Sequence, residues 1–229
     1  MKISYDLHLH SCLSPCGDND MTPNNIVNMA VLLGLDAIAV SDHNSSLNLP
    51  AIFNVANEHG LTVVPALEVC TSEEVHLLCM TYTLQGITEL SDELYQFLPD
   101  FKNNVEVFGQ QLIVDENDNI IGSENRLLIN ALTLNIDKLL KIIAKYDGIA
   151  IPAHVDKTSN SIISNLGFIP PDYNFSCIEI KNPKIEVNFD GKRIINSDAH
   201  YLEHIHEPIH FLDVMDNSAR SIINYLKSK

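Results

Sequence analysis

Histidines and carboxylates recur at the ends of apolar runs in this sequence, and those two residue types together are suited to holding divalent cations. Asp6-Leu-His8-Leu-His10 closes the first run, Asp42-His43 follows Ala-Ile-Ala-Val, Glu68 follows Val-Val-Pro-Ala-Leu, His154 follows Ile-Ala-Ile-Pro-Ala, and Asp198-Ala-His200 follows Ile-Ile-Asn-Ser. Side chains alternate faces along a strand, so His8 and His10 share a face and can grip one ion. A lone H-x-H pair is weak, since a histidine at a strand end also serves as a satisfied polar group; His204-Ile-His206 follows no apolar run and reads as a surface pair. Repetition carries the inference: in parallel α/β proteins the carboxyl ends of the strands line one crevice, where residues distant in sequence meet. His76 opens a run instead of closing one, but from there it can face back toward Glu68. Asp42 and Asp198 also suit capped turns, and His59 and His210 read as ordinary polar residues.

The elements that must position these groups follow from periodicity. Ile3 to Leu9, Ala37 to Val40, Leu61 to Leu67, Val75 to Met80, Ile149 to Pro152, Cys177 to Ile180 and Arg193 to Asn196 predict strands. Between the first two, Thr22 is placed to cap a helix with Pro23 at its first position, Ile26, Val27, Ala30 and Leu33 form its apolar stripe, and Gly34 suits its end. Further helices are expected through Ile52, Val55 and Ala56 to Gly60, around Leu139, Leu140 and Ile143 before Gly148, and from Ser218 to Lys227. Repeated β-α-β units favour a parallel barrel or a doubly wound sheet. The stretch Asp115-Glu-Asn-Asp-Asn119, between Gln111 to Val114 and Ile120 to Ile121, predicts a β-hairpin outside the core.

Composition bounds the partners. The formal charge of −16, from 14 Lys and Arg against 30 Asp and Glu, argues against extended nucleic acid, as do the three dispersed arginines Arg126, Arg193 and Arg220. No apolar run approaches the roughly 18 residues of a membrane span. The five cysteines have no C-x-x-C spacing and no apolar leader precedes Asp6, which suggests a cytoplasmic chain with reduced thiols. Oligomeric state is not indicated.

The ordered set Asp-x-His-x-His, Asp-His, Glu with a later His, His, and Asp-x-His resembles the polymerase and histidinol phosphatase (PHP) superfamily across nearly the whole chain. The resemblance implies an α/β fold, a distorted seven-stranded (β/α) barrel here carrying the inserted β-hairpin, with residues 1–229 forming a single PHP-like catalytic domain. It further implies two or three divalent metal ions, zinc, manganese or iron, in a trinuclear centre that hydrolyses phosphoesters. Carried over by position, His8, His10, Glu68 and Asp198 surround one ion, Glu68 bridges to a second held by His76 and His154, and His43 and His200 hold the third. The loop after His10 is longer than the family pattern, leaving Cys16, Asp18 and Asp20 as candidates for one further ligand, with a carboxylate, Asp18 or Asp20, favoured. Asp6 and Asp42 are placed to orient ligating imidazoles from behind.

Water activated by clustered ions would be the nucleophile, so no catalytic side chain is assigned. The ions would make a cationic pocket in an acidic protein, attractive to a small phosphorylated substrate, with Lys157 and Lys181 as substrate-binding cations. Two alternatives are a nuclease-type phosphodiesterase, which calls for a basic groove, and a non-catalytic metal-binding regulatory protein, suggested by the altered loop.

Overall fold

In the computed structural model, which describes residues 1–228, the apolar runs form strands and the periodic segments between them form helices. β1, Lys2–Leu9, is buried from its second residue onward, as a strand covered on both faces must be. Helix α1, Pro23–Leu33, starts on a proline whose missing N–H costs nothing there, buries Ile26, Val27 and Ala30, and ends on Gly34 at φ 82°. The Thr22 hydroxyl does not cap this helix; it donates to Asp118 in the hairpin turn. β2, Ala37–Val40, pairs parallel with β1. α2, Leu49–His59, leads to β3, Thr62–Val63, parallel to β2.

The expected strand from Leu61 to Leu67 is interrupted. Pro65 has no N–H for a ladder, and the chain restarts as β4, Ala66–Cys70, in a different sheet. β5, His76–Met80, runs antiparallel to β4. Helix α3, Leu84–Tyr95, is an element the sequence reading did not anticipate; the Thr83 hydroxyl accepts from Gly86 N at its start. A short helix α4, Val105–Phe108, precedes the anticipated hairpin of β6, Leu112–Val114, and β7, Ile120–Ser123. α5, Ile136–Lys145, feeds β8, Ile149–Pro152, which is antiparallel to β5. After α6, Ile162–Leu166, β9, Cys177–Glu179, and β10, Lys192–Ile194, form a parallel pair. β11, Phe211–Asp213, was also unforeseen and adds antiparallel to β1 before α7, Ala219–Lys227.

The fold is therefore mixed α/β. The described strands form four sheets, β11-β1-β2-β3, β4-β5-β8, β9-β10 and β6-β7, not a closed seven-stranded barrel. Between sheets, backbone bonds cluster where strands end: His10 N donates to Ala199 O, Glu68 N to Asp42 O, Asn44 N to Glu68 O and Val155 N to Glu179 O. The breaks in regular pairing coincide with the residues singled out for chemistry. Alternation along β2 sends Ile38 and Val40 beneath α1 and α2, and Ala37 and Ala39 into a second core with Ile3, Tyr5 and Leu7.

Candidate metal centre

Glu68, 1 % exposed, is the hub of the site. Its carboxylate lies 3.4 Å from His8 Nε2, 3.6 Å from His10 Nε2, 3.1 Å from His43 Nδ1, 2.9 Å from His76 Nδ1 and 3.1 Å from His154 Nε2. Each placement has a local cause. Strand alternation puts His8 and His10 on one face of the chain as β1 ends. In the β4/β5 ladder Cys70 opposes His76 and Glu68 opposes Leu78, so all four side chains share a face and His76 meets Glu68 although it opens its strand. His43 reaches Glu68 because the chain after β2 forms an isolated parallel bridge to β4 at these two residues.

His154 and Asp198 adopt positive φ, 30° and 53°, in a region that side chains with a Cβ avoid. Both sit just past strand or loop ends where the chain turns their side chains inward, a type of strain that gathers at functional sites. Asp198 then lies 3.4 Å from His8, 3.3 Å from His10 and 2.5 Å from Lys157 Nζ.

These neighbours bias protonation strongly. Burial alone would hold His8 neutral, but the carboxylates of Glu179, Glu68 and Asp198 outweigh it and raise its pKa well above the usual imidazole value. Burial likewise opposes ionisation of Glu68 and Asp198, yet the surrounding imidazoles hold both far below the ordinary carboxylate range. For His10 burial prevails, helped by His43 and His200, and its pKa falls. An anionic hub ringed by imidazoles is the charge pattern of a cation site.

Cations fit the residues present. The Nδ1 atoms of His43, His76 and His154 are buried and make no hydrogen bond, although those of His43 and His76 face Glu68 at 3.1 and 2.9 Å. His8 and His10 point their Nε2 atoms at each other across 3.2 Å. Nitrogens that converge without pairing are oriented toward shared points between them. Three sets bring one donor atom per residue within 4.8 Å of each other: His8, His10 and Asp198; His43, Glu68 and His76; and His10, Cys16, His43 and His200.

Asp18 and Asp20 are a correction, because the structure does not bring them into the cluster. Asp18 accepts from Asp20 N, Asp20 is exposed, and Cys16 stands in the cluster instead. The loop folds through Ser14 N to Ser11 O and Gly17 N to Ser14 O bonds, which turn Cys16 inward before Asp18 is reached. Although burial opposes it, the charges and hydrogen bonds of His43 and His200 bring the Cys16 thiol down to about 6.

Asp6 does not orient an imidazole of the cluster; it accepts from the backbone N–H groups of Ser197 and His206, fixing the loop that carries Asp198. Asp42 accepts from both Ser11 N and the Ser11 and Ser14 hydroxyls, and the Ser14 hydroxyl lies 3.1 Å from His10 Nδ1, so Asp42 acts on His10 through a serine. Lys157 lines the cavity, whereas Lys181 bonds Ser197 O and lies 4.0 Å from Asp198. Sequence reasoning missed Glu179 as a site residue. It is fully buried, faces His8 Nδ1 at 2.9 and 3.1 Å, and accepts from His154 N and Asn196 Nδ2 at 2.7 Å each. The signal was available, since Glu179 ends an apolar strand just as the other site residues do.

The cluster floors a cavity of about 240 Å³ whose rim includes Ile129, Ser159 and Asn160. Among the described residues no helix is long and apolar enough to cross a membrane.

Comparison with known proteins agrees with this chemistry. The family model described as PHP domain matches residues 6–159. The 5′-3′ exoribonuclease Rnm of Salmonella typhimurium is 30% identical over 81 residues, 33% of this chain and 27% of that protein. The lesion-specific endonuclease PfuEndoQ of Pyrococcus furiosus superposes over 99% of this chain and 56% of its own with TM-score 0.68 and 19% identity. Endonuclease Q in complex with a 27-mer duplex bearing an abasic lesion gives TM-score 0.65 at 19% identity, over 99% and 57% of the two chains. A protein of Bifidobacterium adolescentis provisionally named a metal-dependent phosphoesterase gives 0.64 at 16% identity, over 98% and 96%. The chain thus spans little more than half of the endonuclease, and its match covers about a quarter of the exoribonuclease.

These neighbours correct the expectation that extended nucleic acid is excluded as a partner. The nucleases among them act on polynucleotides. A whole-chain charge of −16 averages over remote surface, whereas phosphate at the site meets a local field set by imidazoles, Lys157 and any bound cation.

Proposed function

The chain belongs to the PHP domain family and is a metal-dependent hydrolase, and on that premise we propose that it cleaves phosphodiester bonds of nucleic acid at the cluster around Glu68. The observation that carries this reading is one buried carboxylate within 3.6 Å of five imidazoles drawn from distant parts of the chain. On this reading residues 1–229 work as a single PHP-like catalytic domain in the cytoplasm, with two or three ions of zinc, manganese or iron. His8, His10, Glu68 and Asp198 would hold one ion, Glu68, His76 and His154 a second, and His43 and His200 a third.

Divalent ions so held lower the pKa of water, polarise a phosphoryl oxygen and stabilise the leaving oxygen. The protein's own groups do the rest. Glu179 holds the Nδ1 side of His8, which leaves Nε2 facing the cluster. The Asp42–Ser14 pair does the same for His10. Lys157, on the cavity wall, is placed to donate to a phosphate oxygen while its partner Asp198 engages a cation. A cavity of about 240 Å³ admits one phosphodiester with part of a nucleotide, and duplex would have to present a single displaced unit.

The non-catalytic alternative loses its motive, because the altered loop supplies Cys16 to the cluster where a ligand seemed to be lacking. The test is incubation of chelator-stripped, metal-reconstituted protein with end-labelled single-stranded RNA, single-stranded DNA and duplex. Metal-dependent shortening of one of them is expected; no cleavage of any would reject the reading.

A further inference from the structure

We propose that Cys16 is a thiolate ligand that, with His43 and His200, forms a zinc-class site, chemically distinct from the imidazole–carboxylate sites around Glu68. This rests on the metal-dependent reading above and goes beyond it by assigning the odd ligand of the loop and the kind of ion it selects.

Cys16 contributes one of four donor atoms, with His10, His43 and His200, that all lie within 4.8 Å of one another. His43, 6 % exposed, belongs to both donor sets: its buried Nδ1 makes no hydrogen bond and faces Glu68 at 3.1 Å, so the ring stands between the Glu68 hub and the Cys16 loop. His10 and His43 rings lie 4.6 Å apart and His10 and His200 rings 4.4 Å apart, so three imidazoles crowd a small space. Three imidazoles and a thiol thereby present donor atoms to one small volume, the arrangement of ligands that share a cation.

The loop is built to hold the thiol in place. Asp18 N donates to His200 O at 2.9 Å, which ties the loop to the segment carrying His200. Gly17 packs so tightly that a Cβ there would collide with the Ser11 carbonyl oxygen. Ser14 is bonded to Asp42 and receives His43 N, which fixes the other side of the turn.

Sulfur selects differently from oxygen. A thiolate beside imidazoles favours zinc or ferrous iron over manganese or magnesium, while the oxygen-rich position at Glu68 and Asp198 is more permissive. Two kinds of ion, or one ion held with two affinities, follow from that asymmetry. Cys16 is also exposed whereas Cys12, Cys70, Cys79 and Cys177 are buried, so a reagent from solvent reads this thiol alone.

The experiment uses the full chain. Metal-free protein is treated with iodoacetamide, with and without Zn²⁺, and modified cysteines are located by mass spectrometry. One modification, on Cys16, is expected without metal, slowed about tenfold or more by Zn²⁺ because a coordinated thiolate is a poorer nucleophile. In parallel, Co²⁺-loaded wild type should show sulfur-to-cobalt charge-transfer absorption in the near ultraviolet, and Cys16→Asp should lose that band while still binding Co²⁺. Cys16 alkylated equally fast in zinc-loaded, hydrolytically active protein overturns the thiolate site alone. A charge-transfer band that survives in Cys16→Asp does so as well. Failure of the wild type to bind any ion overturns both this site and the reading it rests on.

Discussion

His8 Nδ1 and the Glu179 carboxylate lie 2.9 Å apart with both side chains fully buried, and this pair decides which face of the imidazole the metal centre receives. Glu179 also accepts from His154 N, so one carboxylate sets two of the imidazoles around Glu68. Glu179→Gln keeps the size but removes the charge that makes His8 a good donor. Metal affinity measured by calorimetry is expected to fall by about 10- to 100-fold, with activity following it at limiting metal and recovering in excess. Unchanged affinity would show that Glu179 serves the fold only.

Metal uptake should release protons at neutral pH. Against the pull of burial, the carboxylates of Glu179, Glu68 and Asp198 hold His8 well above the ordinary imidazole value, and Cys16 followed by Glu68 does the same for His43, so both rings favour the protonated form that a bound cation must displace. Their raised pKa values also fix a sign for stability. The protonated rings stabilise the metal-free fold fully below about pH 6.5, and that contribution is lost as pH rises through the raised values. Calorimetric titration with Zn²⁺ in buffers of different ionisation enthalpy should reveal at least one proton released per chain, and affinity should rise with pH. Binding that is independent of buffer would contradict this charge assignment.

Gly17 is expected to be intolerant of substitution for a reason local to the loop. A Cβ there meets the Ser11 carbonyl oxygen and comes within 3.2 Å of the Ser14 carbonyl oxygen, so Gly17→Ala must shift the turn that carries Cys16. Overpacking of this kind costs about 1–3 kcal/mol. Thermal denaturation should register that loss, and metal analysis should register reduced occupancy; wild-type values for both would mean the turn relaxes freely.

Lys157 is bonded to Asp198 and lines the cavity. Lys157→Ala should leave metal stoichiometry intact and lower kcat/KM by about 10- to 100-fold, the worth of a hydrogen bond to a charged group. Steady-state kinetics with parallel metal analysis separates this from a ligand's loss, in which stoichiometry would fall too.

Much of this site was legible because strand ends are marked twice in sequence, by the close of an apolar run and by a ligand-type residue at that close. His8, His10, His43, Glu68, His154, Asp198 and His200 all carry both marks. Glu179 carries them as well, on a strand of only three residues, and was not singled out. His76 lacks the mark and was reached only through the family resemblance; its physical cause is the β4/β5 register, an antiparallel pairing that periodicity does not encode. Cys16 was reachable only as one of three candidates, because backbone turns within the loop decide which side chain faces inward. The same limit applies to the fold. The strands were mostly found, yet Pro65 moved the chain between sheets, and β11 was too short and half-exposed to announce itself. Net charge misled most about partners, since it is a sum over the surface and phosphate responds to the local field.

The central claim is that the Glu68 hub holds the ions that drive phosphodiester hydrolysis. Glu68→Gln preserves the volume of a fully buried side chain and removes the charge shared by five imidazoles. The decisive measurement is metal-dependent cleavage of end-labelled single-stranded and duplex oligonucleotides by wild type and Glu68→Gln, each verified as folded by circular dichroism. Cleavage by the wild type that disappears on chelation, returns with Mn²⁺, Zn²⁺ or Fe²⁺, and is reduced at least about a hundredfold in the variant is the predicted result. A folded Glu68→Gln protein that cleaves as fast as wild type, or wild-type cleavage indifferent to chelation, would contradict it.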